Sequence, residues 1–346
     1  MDSQYGFRSN RSTAMALMDL AEEIASAIDS KKYAIGVFID LKKTFDTIDH
    51  DIVLRQMEQY GIRGIVLDWL RNYIKNRQQF VQLKDFKSPE LNITYGVPQG
   101  SVLGPKLFIM YINDIGKVSD ILSPVVFADD TNIFCTGDDL QQMMDIVSQE
   151  LSKLKSWFNR NKLSLNSEKT KFMLFGNQKN NIKVKLMIDN VLVERVYDNK
   201  FLGVILDHKL CWKNHTTYIS SKLARNVGIM GRVKHMLNER ALLLLYCSLV
   251  LPYLMYCVAV WGNTYKSTLQ KICTLQKKKA IRIVHKVSYN DHTNQLFLKS
   301  DMLKFMDLVK LQTVQIAYKA EHNLLPGNLN KWFMEREGGY ELGGGV

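Results

Sequence analysis

The sequence lacks the cysteine patterns that are typical of metal sites and of disulfide frameworks. Its cysteines show no CxxC spacing and no histidine partners at zinc-finger distances, and the N-terminus does not resemble a signal peptide. These absences exclude a zinc-finger array and a disulfide framework, and they predict a reducing compartment. The five cysteines are Cys135, Cys211, Cys247, Cys257 and Cys273.

Repeats, low-complexity stretches and long linkers are also missing. The 346 residues are 46% apolar, which is enough to bury a large core, and this length predicts two or three domains. Because no linker separates them, these parts are expected to pack directly together.

A long uncharged run, the 21 residues from Ala241 to Trp261, could cross a bilayer. Pro252 interrupts it, polar side chains are scattered through it, and no second span accompanies it. We therefore predict two consecutive buried core helices, bent at Leu251-Pro252, and no membrane partner.

Positive charge is concentrated in the last third of the chain. Of a net charge of +12, residues 207–336 hold 20 Lys and Arg against 7 Asp and Glu, and the rest of the chain holds 26 against 27. A near-neutral body joined to a basic part is typical of a protein that grips a polyanion and performs metal chemistry on it. A merely soluble basic domain is the alternative.

Three aspartates stand at the ends of apolar, β-rich runs. Asp40 ends the run that starts at Tyr33, and Asp129 and Asp130 lie in a predicted hairpin, at or near its bend. If the two strands pair side by side, the three carboxylates converge, which is costly unless divalent cations neutralise them. Hard oxygen ligands with open positions suit Mg²⁺. For the Asp129 pair, an ordinary acidic hairpin loop is the alternative.

Apolar periodicity predicts the remaining elements. The predicted helices are Thr13 to Ser30 with Ser12 as N-cap, Ile52 to Tyr60, Ile65 to Ile74, Pro105 to Ile115, Leu140 to Asn161, and everything beyond about Trp212. The predicted strands are Phe80 to Leu83, Leu91 to Tyr95, Lys171 to Phe175, Val184 to Ile188 and Lys200 to Leu206.

Two further features point to a nucleotide. On a tight turn after Asp40, Phe45 would fold back over a nucleotide site and leave no room for a ribose 2′-hydroxyl; a core aromatic is the alternative. In Pro98-Gln99-Gly100 the glycine permits close backbone approach and the Gln99 amide can hydrogen-bond a nucleotide; a plain turn is the alternative.

Taken together, the chain resembles the reverse transcriptases of non-LTR retrotransposons, and most closely those of the jockey-like insect elements. Six motifs stand in the order of that family over about 200 residues, whereas a lone xxDD would mean little. The motifs are Gln4 to Thr13 (fingertip), Phe38 to Asp46 (first catalytic), Gly96 to Pro105 (template and nucleotide), Phe127 to Asp130 (second catalytic), Leu165 to Lys171 (palm) and Phe201 to Val204 (primer grip).

The resemblance implies an α+β fold of the right-handed polymerase type, with partial fingers, a palm built on an antiparallel sheet and a helical thumb. The implied division is residues 1–32 for partial fingers, 33–199 for the palm with interleaved fingers segments, 200–212 for the primer grip, 213–336 for a basic helical thumb and 337–346 for a disordered tail.

It further implies two-metal nucleotidyl transfer, with two Mg²⁺ ions for which Mn²⁺ can substitute. The substrates would be an RNA template such as the element RNA, a DNA primer and deoxynucleoside triphosphates, in the nucleus or the cytoplasm. The implied metal ligands are Asp40, Asp129, Asp130 as a supporting carboxylate, and the Leu41 carbonyl.

The implied substrate contacts are Phe45, Gln99 and Gly100, Arg8 and Arg11 toward the triphosphate, and Lys169 toward pyrophosphate. The implied nucleic-acid contacts are Phe201, Leu202 and Gly203 in the primer grip, and Lys277, Lys278 and Lys279 in the thumb. For the arginines a solvated loop is the alternative, for Lys169 a surface lysine, and for the lysine run a solvated helix face. His50 is predicted to be a helix-start residue rather than a metal ligand.

Two features depart from the family pattern. Thr44 stands where Ala is usual, and its hydroxyl is expected to crowd the sugar pocket. The chain also opens almost on the fingertip motif, so we expect a fragment of a longer element protein that lacks upstream fingers segments and any endonuclease domain. The rival interpretations are a non-catalytic nucleic-acid-binding remnant and a group II intron maturase; the FADD and thumb segments disfavour the maturase.

Overall fold

The computed structural model describes residues 3–176, 184–188 and 191–333. Within these ranges helices and strands are interspersed up to Asp207, and helices alone follow. The α-helices are α1 (Thr13–Asp29), α2 (His50–Gln59), α3 (Ile65–Ile74), α4 (Leu103–Ile112), α5 (Leu140–Arg160), α6 (Lys213–Val233), α7 (Glu239–Leu249), α8 (Leu251–Met255), α9 (Val258–Trp261), α10 (Lys266–Thr274), α11 (Ile281–Val284), α12 (Asn294–Lys299), α13 (Phe305–Glu321) and α14 (Gly327–Asn330). Two 3-10 segments lie at Thr44–Asp46 and Asn113–Lys117, and a π-helical segment lies at Leu275–Ala280.

The strands are mostly short. They are β1 (Tyr33–Ile39), β2 (Leu41–Lys42), β3 (Arg77–Gln79), β4 (Gln82–Leu83), β5 (Phe86–Lys87), β6 (Leu91–Ile93), β7 (Ser123–Phe127), β8 (Asp130–Gly137), β9 (Ser164–Leu165), β10 (Lys171–Phe175), β11 (Met187–Ile188), β12 (Val191–Leu192), β13 (Glu194–Arg195), β14 (Asp198–Phe201) and β15 (Val204–Asp207).

A five-stranded sheet occupies the centre of the fold, in the order β13-β10-β1-β8-β7. Strand β1 pairs antiparallel with both β10 and β8, and β8 pairs antiparallel with β7. The edge strand β13 runs parallel to β10. The predicted antiparallel sheet is therefore confirmed, with a parallel pair at one edge.

The sheet is buried on both faces, which explains why β1 is a continuous apolar run. Ala34 and Phe38 pack in a cluster with α1 and the C-terminal helices. Ile35, Val37 and Ile39 pack in a second cluster with α2, α3, α4 and α5. The C-terminal helices therefore share a hydrophobic core with the sheet, as the absence of a linker predicts.

Side-chain caps set several helix starts. The Ser12 hydroxyl accepts the Met15 N–H at 3.3 Å, so α1 begins where predicted. Asp49 accepts the N–H groups of Asp51 and Ile52 at 3.0 Å, and α2 therefore begins before the predicted Ile52. Helix α4 also begins earlier than predicted, and a 3-10 segment replaces its last predicted residues.

Of the predicted strands Phe80 to Leu83 and Leu91 to Tyr95, only Gln82–Leu83 and Leu91–Ile93 are strands, and they do not pair with each other. Instead β3 pairs with β6, and β4 with β5, as separate two-stranded ladders. Side chains such as Val81 and Phe86 are exposed there, so no buried face sets the register.

Two other strand predictions need correction. The predicted strand Lys200 to Leu206 is a hairpin of β14 and β15. Of the predicted strand Val184 to Ile188, only Met187–Ile188 is a strand.

The uncharged run from Ala241 to Trp261 comprises all but the first two residues of α7, followed by α8 and α9. The prediction of helices bent near Pro252 is confirmed, but these helices are not buried all round, because Leu244 is 62% exposed. No helix among the described residues is long and apolar enough to cross a membrane. The glycine-rich end, Gly338 to Val346, lies outside the described residues.

Candidate active site

Asp40 and Asp130 are brought together by the pairing of β1 with β8. The last residue of β1 lies opposite the second residue of β8. Extending this register by one residue places Asp40 opposite Asp130, and opposed side chains have Cβ atoms about 5 Å apart. Asp129 lies in the two-residue turn Ala128-Asp129 that joins β7 to β8. The predicted hairpin and the predicted side-by-side strands are both confirmed.

The Ala128-Asp129 turn is strained and is held by the N-terminal segment. Ala128 has a φ of 56°, in the left-handed region that disfavours side chains with a Cβ. The buried Gln4 side chain donates to the Ala128 carbonyl at 3.3 Å and accepts from the Ala128 N–H at 3.0 Å. Gly6 lies so close that a Cβ on it would stand 2.3 Å from the Ala128 nitrogen. Sequence reasoning missed this role of Gln4 and Gly6, because the contact spans 124 residues and leaves no local signal.

Neutral donors hold two of the three carboxylates. The Asn166 side chain donates to Asp40 Oδ2 at 2.9 Å, and the Asn166 N–H donates to the Asp40 carbonyl at 2.8 Å. The buried Thr44 hydroxyl donates to Asp129 Oδ2 at 3.2 Å. The hydroxyl expected to crowd a sugar pocket thus has a partner of its own. Neither role was predicted.

Negative charge accumulates at this end of the sheet. Partial desolvation by surrounding protein, and then the charges of Asp129 and Asp40, raise the pKa of the Asp130 carboxyl above its usual range. Asp130 keeps much of its surface in solvent. In the described part of the chain, no lysine or arginine forms an ion pair with any of the three carboxylates.

These groups suit a divalent cation, although they are not gathered into a closed site. Within residues 3–176, 184–188 and 191–333, no group of three or more His, Cys, Asp or Glu side chains is close enough to hold a metal ion by itself. The unpaired negative charge of Asp40, Asp129 and Asp130 and their hard oxygen atoms fit Mg²⁺ with several ligands supplied from outside the protein. The Asp40 carbonyl accepts the Asn166 N–H, and Leu41 begins the short strand β2, which pairs with β9.

Phe45 lies in the 3-10 segment between Asp40 and α2. Its side chain is half-buried, and its ring lies 4.7 Å from the ring of Phe108, centre to centre. The core aromatic and the sugar gate are therefore not exclusive, because one part of the ring packs and another part faces solvent.

The loop that starts at Gly96 docks on the Phe45 segment. The Val97 N–H donates to the Phe45 carbonyl at 3.0 Å, and a Cβ at Gly96 would stand 2.9 Å from the backbone of Asp46. Gln99 is exposed, and its amide donates to the Asp46 carboxylate at 2.7 Å. Gly100 has a φ of 76° with open space around it. The loop thus stands beside Phe45, with the Gln99 amide held in place.

The two arginines of the N-terminal segment differ in position. Arg8 is half-buried and follows Gly6, which contacts the Ala128-Asp129 turn. The Arg11 guanidinium lies 5.2 Å from the centre of the Tyr5 ring. Both arginines thus belong to the segment that contains Gly6, and Arg11 contacts Tyr5 just before α1.

Lys169 and His50 differ in their exposure to solvent. Lys169 is exposed on the turn after Asn166, to whose carbonyl its N–H donates at 3.1 Å. His50 is buried at the first position of α2, and its Nε2 lies 2.8 Å from the Gly96 carbonyl oxygen. The prediction that His50 starts a helix is confirmed.

The predicted primer grip is the β14-β15 hairpin. Leu202 and Gly203 form its two-residue turn, both with positive φ, as a tight hairpin of the favoured twist requires. Phe201 is buried, and Leu202 is half-buried. The Tyr256 hydroxyl donates to the Leu202 carbonyl at 2.7 Å, so the hairpin is fastened to the C-terminal helices.

Lys277, Lys278 and Lys279 are exposed in the π-helical segment. Lys278 and Lys279 line a cavity against α6, and Lys277 does not. These lysines belong to the helical part, whereas Asp40, Leu41, Phe45, Gln99, Gly100, Asp129, Asp130, Arg8 and Lys169 are on the sheet end and the segments attached to it.

The profile of the family described as "Reverse transcriptase (RNA-dependent DNA polymerase)" matches residues 1–206. The probable RNA-directed DNA polymerase from transposon X-element of Drosophila melanogaster is 28% identical over 288 residues, which cover 81% of this chain and 31% of that protein. The RNA-directed DNA polymerase from mobile element jockey of the same organism is 26% identical over 336 residues, covering 94% and 36%. The predicted resemblance to jockey-like elements is confirmed. The chain spans about a third of the length of these relatives.

Among solved structures, the apo telomerase from Candida tropicalis overlaps with 93% of this chain and 55% of that chain. The TM-score is 0.43 and the sequence identity is 11%, which is a loose overlap that does not bear on function.

Proposed function

Because this chain belongs to the reverse transcriptase (RNA-dependent DNA polymerase) family, we propose that it is the polymerase core of a non-LTR retrotransposon protein. It would extend a DNA primer along an RNA template, with the element RNA as the natural template and deoxynucleoside triphosphates as substrates. The observation that supports this best is the β1-β8 register, which sets Asp40 beside Asp130, with Asp129 in the adjoining turn.

The proposed metal ligands are Asp40, Asp129 and the Leu41 carbonyl, with Asp130 as a supporting carboxylate. Two divalent ions, Mg²⁺ or Mn²⁺, supply activation of the primer 3′-hydroxyl and neutralise charge on the triphosphate when bound. The fit rests on the hard oxygen atoms of three neighbouring carboxylates, none of which forms an ion pair with a lysine or arginine among the described residues.

The chain's own groups orient these ligands. Asn166 fixes one oxygen of Asp40, and Thr44 fixes one oxygen of Asp129, so each carboxylate keeps its second oxygen for another partner. Because both donors are neutral, they orient the carboxylates without cancelling the charge that attracts a cation.

Nucleotide selection is assigned to Phe45, Gln99 and Gly100. Phe45 is supported by Phe108 from behind, so its ring can act as a steric wall against a ribose 2′-hydroxyl. Gly100 leaves open space for a close approach of the templating pair, and Gln99 offers an amide beside it. Arg8 and Arg11 are proposed to hold the triphosphate, and Lys169 to stabilise the leaving pyrophosphate.

Primer and template contacts are assigned to the hairpin turn and to the basic helices. Phe201, Leu202 and Gly203 would position the primer end, and the lysine run 277–279 would meet backbone phosphates. We place the reaction in the nucleus or the cytoplasm, where the proposed substrates are found; the five free thiols fit such reducing compartments.

Primer extension on an RNA template, with and without Mg²⁺, tests the assignment. Asp129→Asn removes a proposed metal ligand, so we expect the rate to fall on the order of 10³-fold or more, about 4 kcal/mol of barrier. Template-primer affinity should change no more than a few-fold, because the lost group holds metal and not nucleic acid.

The matched control is Asp138→Asn, the same change at an exposed aspartate just beyond the other end of β8. It should extend primers as the unchanged chain does. Equal activity of the two variants would refute the site. A different result would favour a non-catalytic remnant. It is that this chain, and also a longer protein with the relatives' upstream segments, binds template-primer but does not extend the primer.

A further inference from the structure

A cavity of about 390 Å³ lies between α6 and the π-helical segment, away from the carboxylates. Its apolar floor includes Val227, Leu275 and Ile283, and its walls carry cationic side chains and an aromatic one. The cationic and aromatic side chains that line it are Lys234, Lys278, Lys279, Arg282 and Tyr289. Among the residues that the structure describes, no carboxylate lines it. We propose that this cavity binds an unpaired nucleotide of a nucleic-acid strand, with its phosphate at the lysines and its base against Tyr289.

The cations are held in part before any ligand arrives. The Arg282 guanidinium donates to the carbonyls of Lys278 at 3.1 Å and Asp291 at 2.8 Å, and it lies 5.1 Å from the centre of the Tyr289 ring. Its Nε is buried without a hydrogen-bond partner among the described residues. The Asp291 carboxylate is turned to its own loop, where it accepts the Ser288 N–H at 2.7 Å. The Arg282 guanidinium is therefore held in a fixed position at the wall of a cationic cavity.

Two glycines of α6 leave space on one side of the cavity. Gly228 and Gly231 face the cavity, although glycine inside a helix costs about 1 kcal/mol relative to alanine. Packing does not require them: a Cβ at Gly228 would meet nothing within 4 Å, and one at Gly231 would meet Ile283 at an ordinary 3.7 Å. The space that the missing side chains leave belongs to the cavity.

An unpaired nucleotide fits these features better than a duplex does. The volume is that of a small-molecule site, whereas a duplex offers its phosphates on a broad surface and keeps its bases stacked inside. Single strands are bound by cationic grooves in which bases stack on aromatic side chains and on arginine. Tyr289 is 71% exposed, so its ring is available for such stacking. The binding does not depend on polymerisation.

The π-helical segment divides the lysine run into two parts. Lys278 and Lys279 line the cavity, and the neighbouring Lys277 does not. The double variant Lys266→Gln/Lys271→Gln, at two exposed lysines of α10 that do not line the cavity, is a charge-matched control for the double variant Lys278→Gln/Lys279→Gln. Tyr289→Phe keeps the ring, whereas Tyr289→Ala removes it. Gly228→Met fills the cavity without a change of charge.

The experiment measures binding of the full chain to a labelled twelve-nucleotide single strand, as RNA and as DNA, and to a blunt duplex, over a salt series. The Lys278→Gln/Lys279→Gln variant should bind both single strands more weakly and lower the slope of log K against log salt by about 1.4, with little change in the Lys266→Gln/Lys271→Gln control. Tyr289→Ala should lose on the order of tenfold in single-strand affinity, and Tyr289→Phe should keep it. Gly228→Met should weaken single-strand binding alone.

Three results would overturn the proposal. They are an equal loss of single-strand affinity in the Lys266→Gln/Lys271→Gln control, no effect of Tyr289→Ala in a folded variant, or an equal loss of duplex and single-strand affinity in Gly228→Met. The ratio of RNA to DNA affinity then tells which strand the site prefers, and thermal melting of each variant confirms that it is folded.

Discussion

Phe45 shows how one side chain serves both packing and selection. Its ring is half-buried against Phe108, so truncation should cost less than the roughly 3 to 5 kcal/mol of a fully buried phenylalanine. We expect Phe45→Ala to remain folded and to incorporate ribonucleotides more readily, because a steric wall is lost while the carboxylates are untouched. Incorporation of deoxy- and ribonucleotides, compared by kcat/KM, measures this.

The control for the sugar gate is Phe45→Tyr, which preserves the bulk of the ring and should preserve discrimination. A folded Phe45→Ala variant with unchanged sugar selectivity would leave Phe45 with a packing role only.

His215 gives the stability of the protein a specific pH dependence. It is 1% exposed and accepts the Ile205 N–H through Nδ1 at 3.2 Å, whereas its Nε2 is buried without a partner among the described residues. Burial, and then the charge of Lys200, lower its pKa from 6.5 to about 4. Between these values the unfolded chain binds more protons than the folded one, so stability rises with pH through this window and is lost as pH falls.

Lowering the pH from 7 to 5 should therefore remove about 2 kcal/mol of unfolding free energy through His215 alone. Denaturant unfolding at pH 7 and at pH 5, in the unchanged chain and in His215→Asn, measures the contribution of His215 to the unfolding free energy. Asparagine keeps an acceptor but does not titrate, so the variant should lose correspondingly less. Identical pH dependence in both proteins would show that another group is responsible.

Among the elements, the N-terminal segment is the one that fixes the Asp129 turn. Gly6 fits against the Ala128 backbone only because it lacks a Cβ, which would stand 2.3 Å from the Ala128 nitrogen. Gly6→Ala must displace the segment or the turn, and a shift of about 1 Å at a reacting group costs on the order of 10²-fold in rate. We expect primer extension to fall by that order with the fold retained.

Gly137→Ala is the control at the other end of β8, since a Cβ there makes an ordinary contact of 3.6 Å with Met143. It should leave extension unchanged. Full activity of Gly6→Ala would mean that the turn keeps its geometry without the N-terminal segment.

The π-helical segment also has a structural role, which depends on the side chain of Gln276. Gln276 is buried within it, donates to the Tyr246 hydroxyl at 2.8 Å and to the Leu303 carbonyl at 3.1 Å, and accepts the Phe305 N–H at 2.7 Å. This one amide joins three helical stretches of the basic part. Because Gln276 stands directly before three lysines in the sequence, the local pattern predicts that it is exposed to solvent. Its burial could not be predicted from that pattern.

At the scale of the whole molecule, the charge asymmetry predicts how the protein binds template-primer. Residues 207–336 carry a surplus of 13 positive charges, from 20 Lys and Arg against 7 Asp and Glu. If about six of them meet phosphates, the slope of log K against log salt should be near −5, with little dependence on base sequence. Neutralising Lys277, Lys278 and Lys279 together should flatten that slope by up to about 3, for a template-primer with a single-stranded overhang.

The control neutralises the exposed Lys31, Lys32 and Lys84 of the near-neutral body, which should change the slope little. Equal flattening in both triple variants would mean that net charge, and not the basic helices, sets the affinity. Mg²⁺ dependence of extension should be the same in both.

The sequence by itself determined what depends on near neighbours in the chain. Ser12 caps α1, the apolar period places α5, and the apolar arms around Asp129 make a hairpin, because each of these follows from local hydrogen bonds and a repeating pattern. The ordered motifs also sufficed to identify the family. The bounds and the pairing of the exposed strands β3 to β6 were not predicted, since no buried face ties their register to the sequence.

Only the tertiary structure decided which residues hold the site in shape. Gln4 reaches Ala128, Asn166 reaches Asp40, and Tyr256 reaches Leu202, across 124, 126 and 54 residues respectively. Amides and hydroxyls such as these fit many environments, and their partners are chosen by the packing of the sheet against its two cores. The place of Asp40, Asp129 and Asp130 at adjoining strand ends could be predicted, because they follow apolar runs in the sequence. The residues that hydrogen-bond to them could not, because a neutral donor gives no sign in the sequence of which partner it contacts.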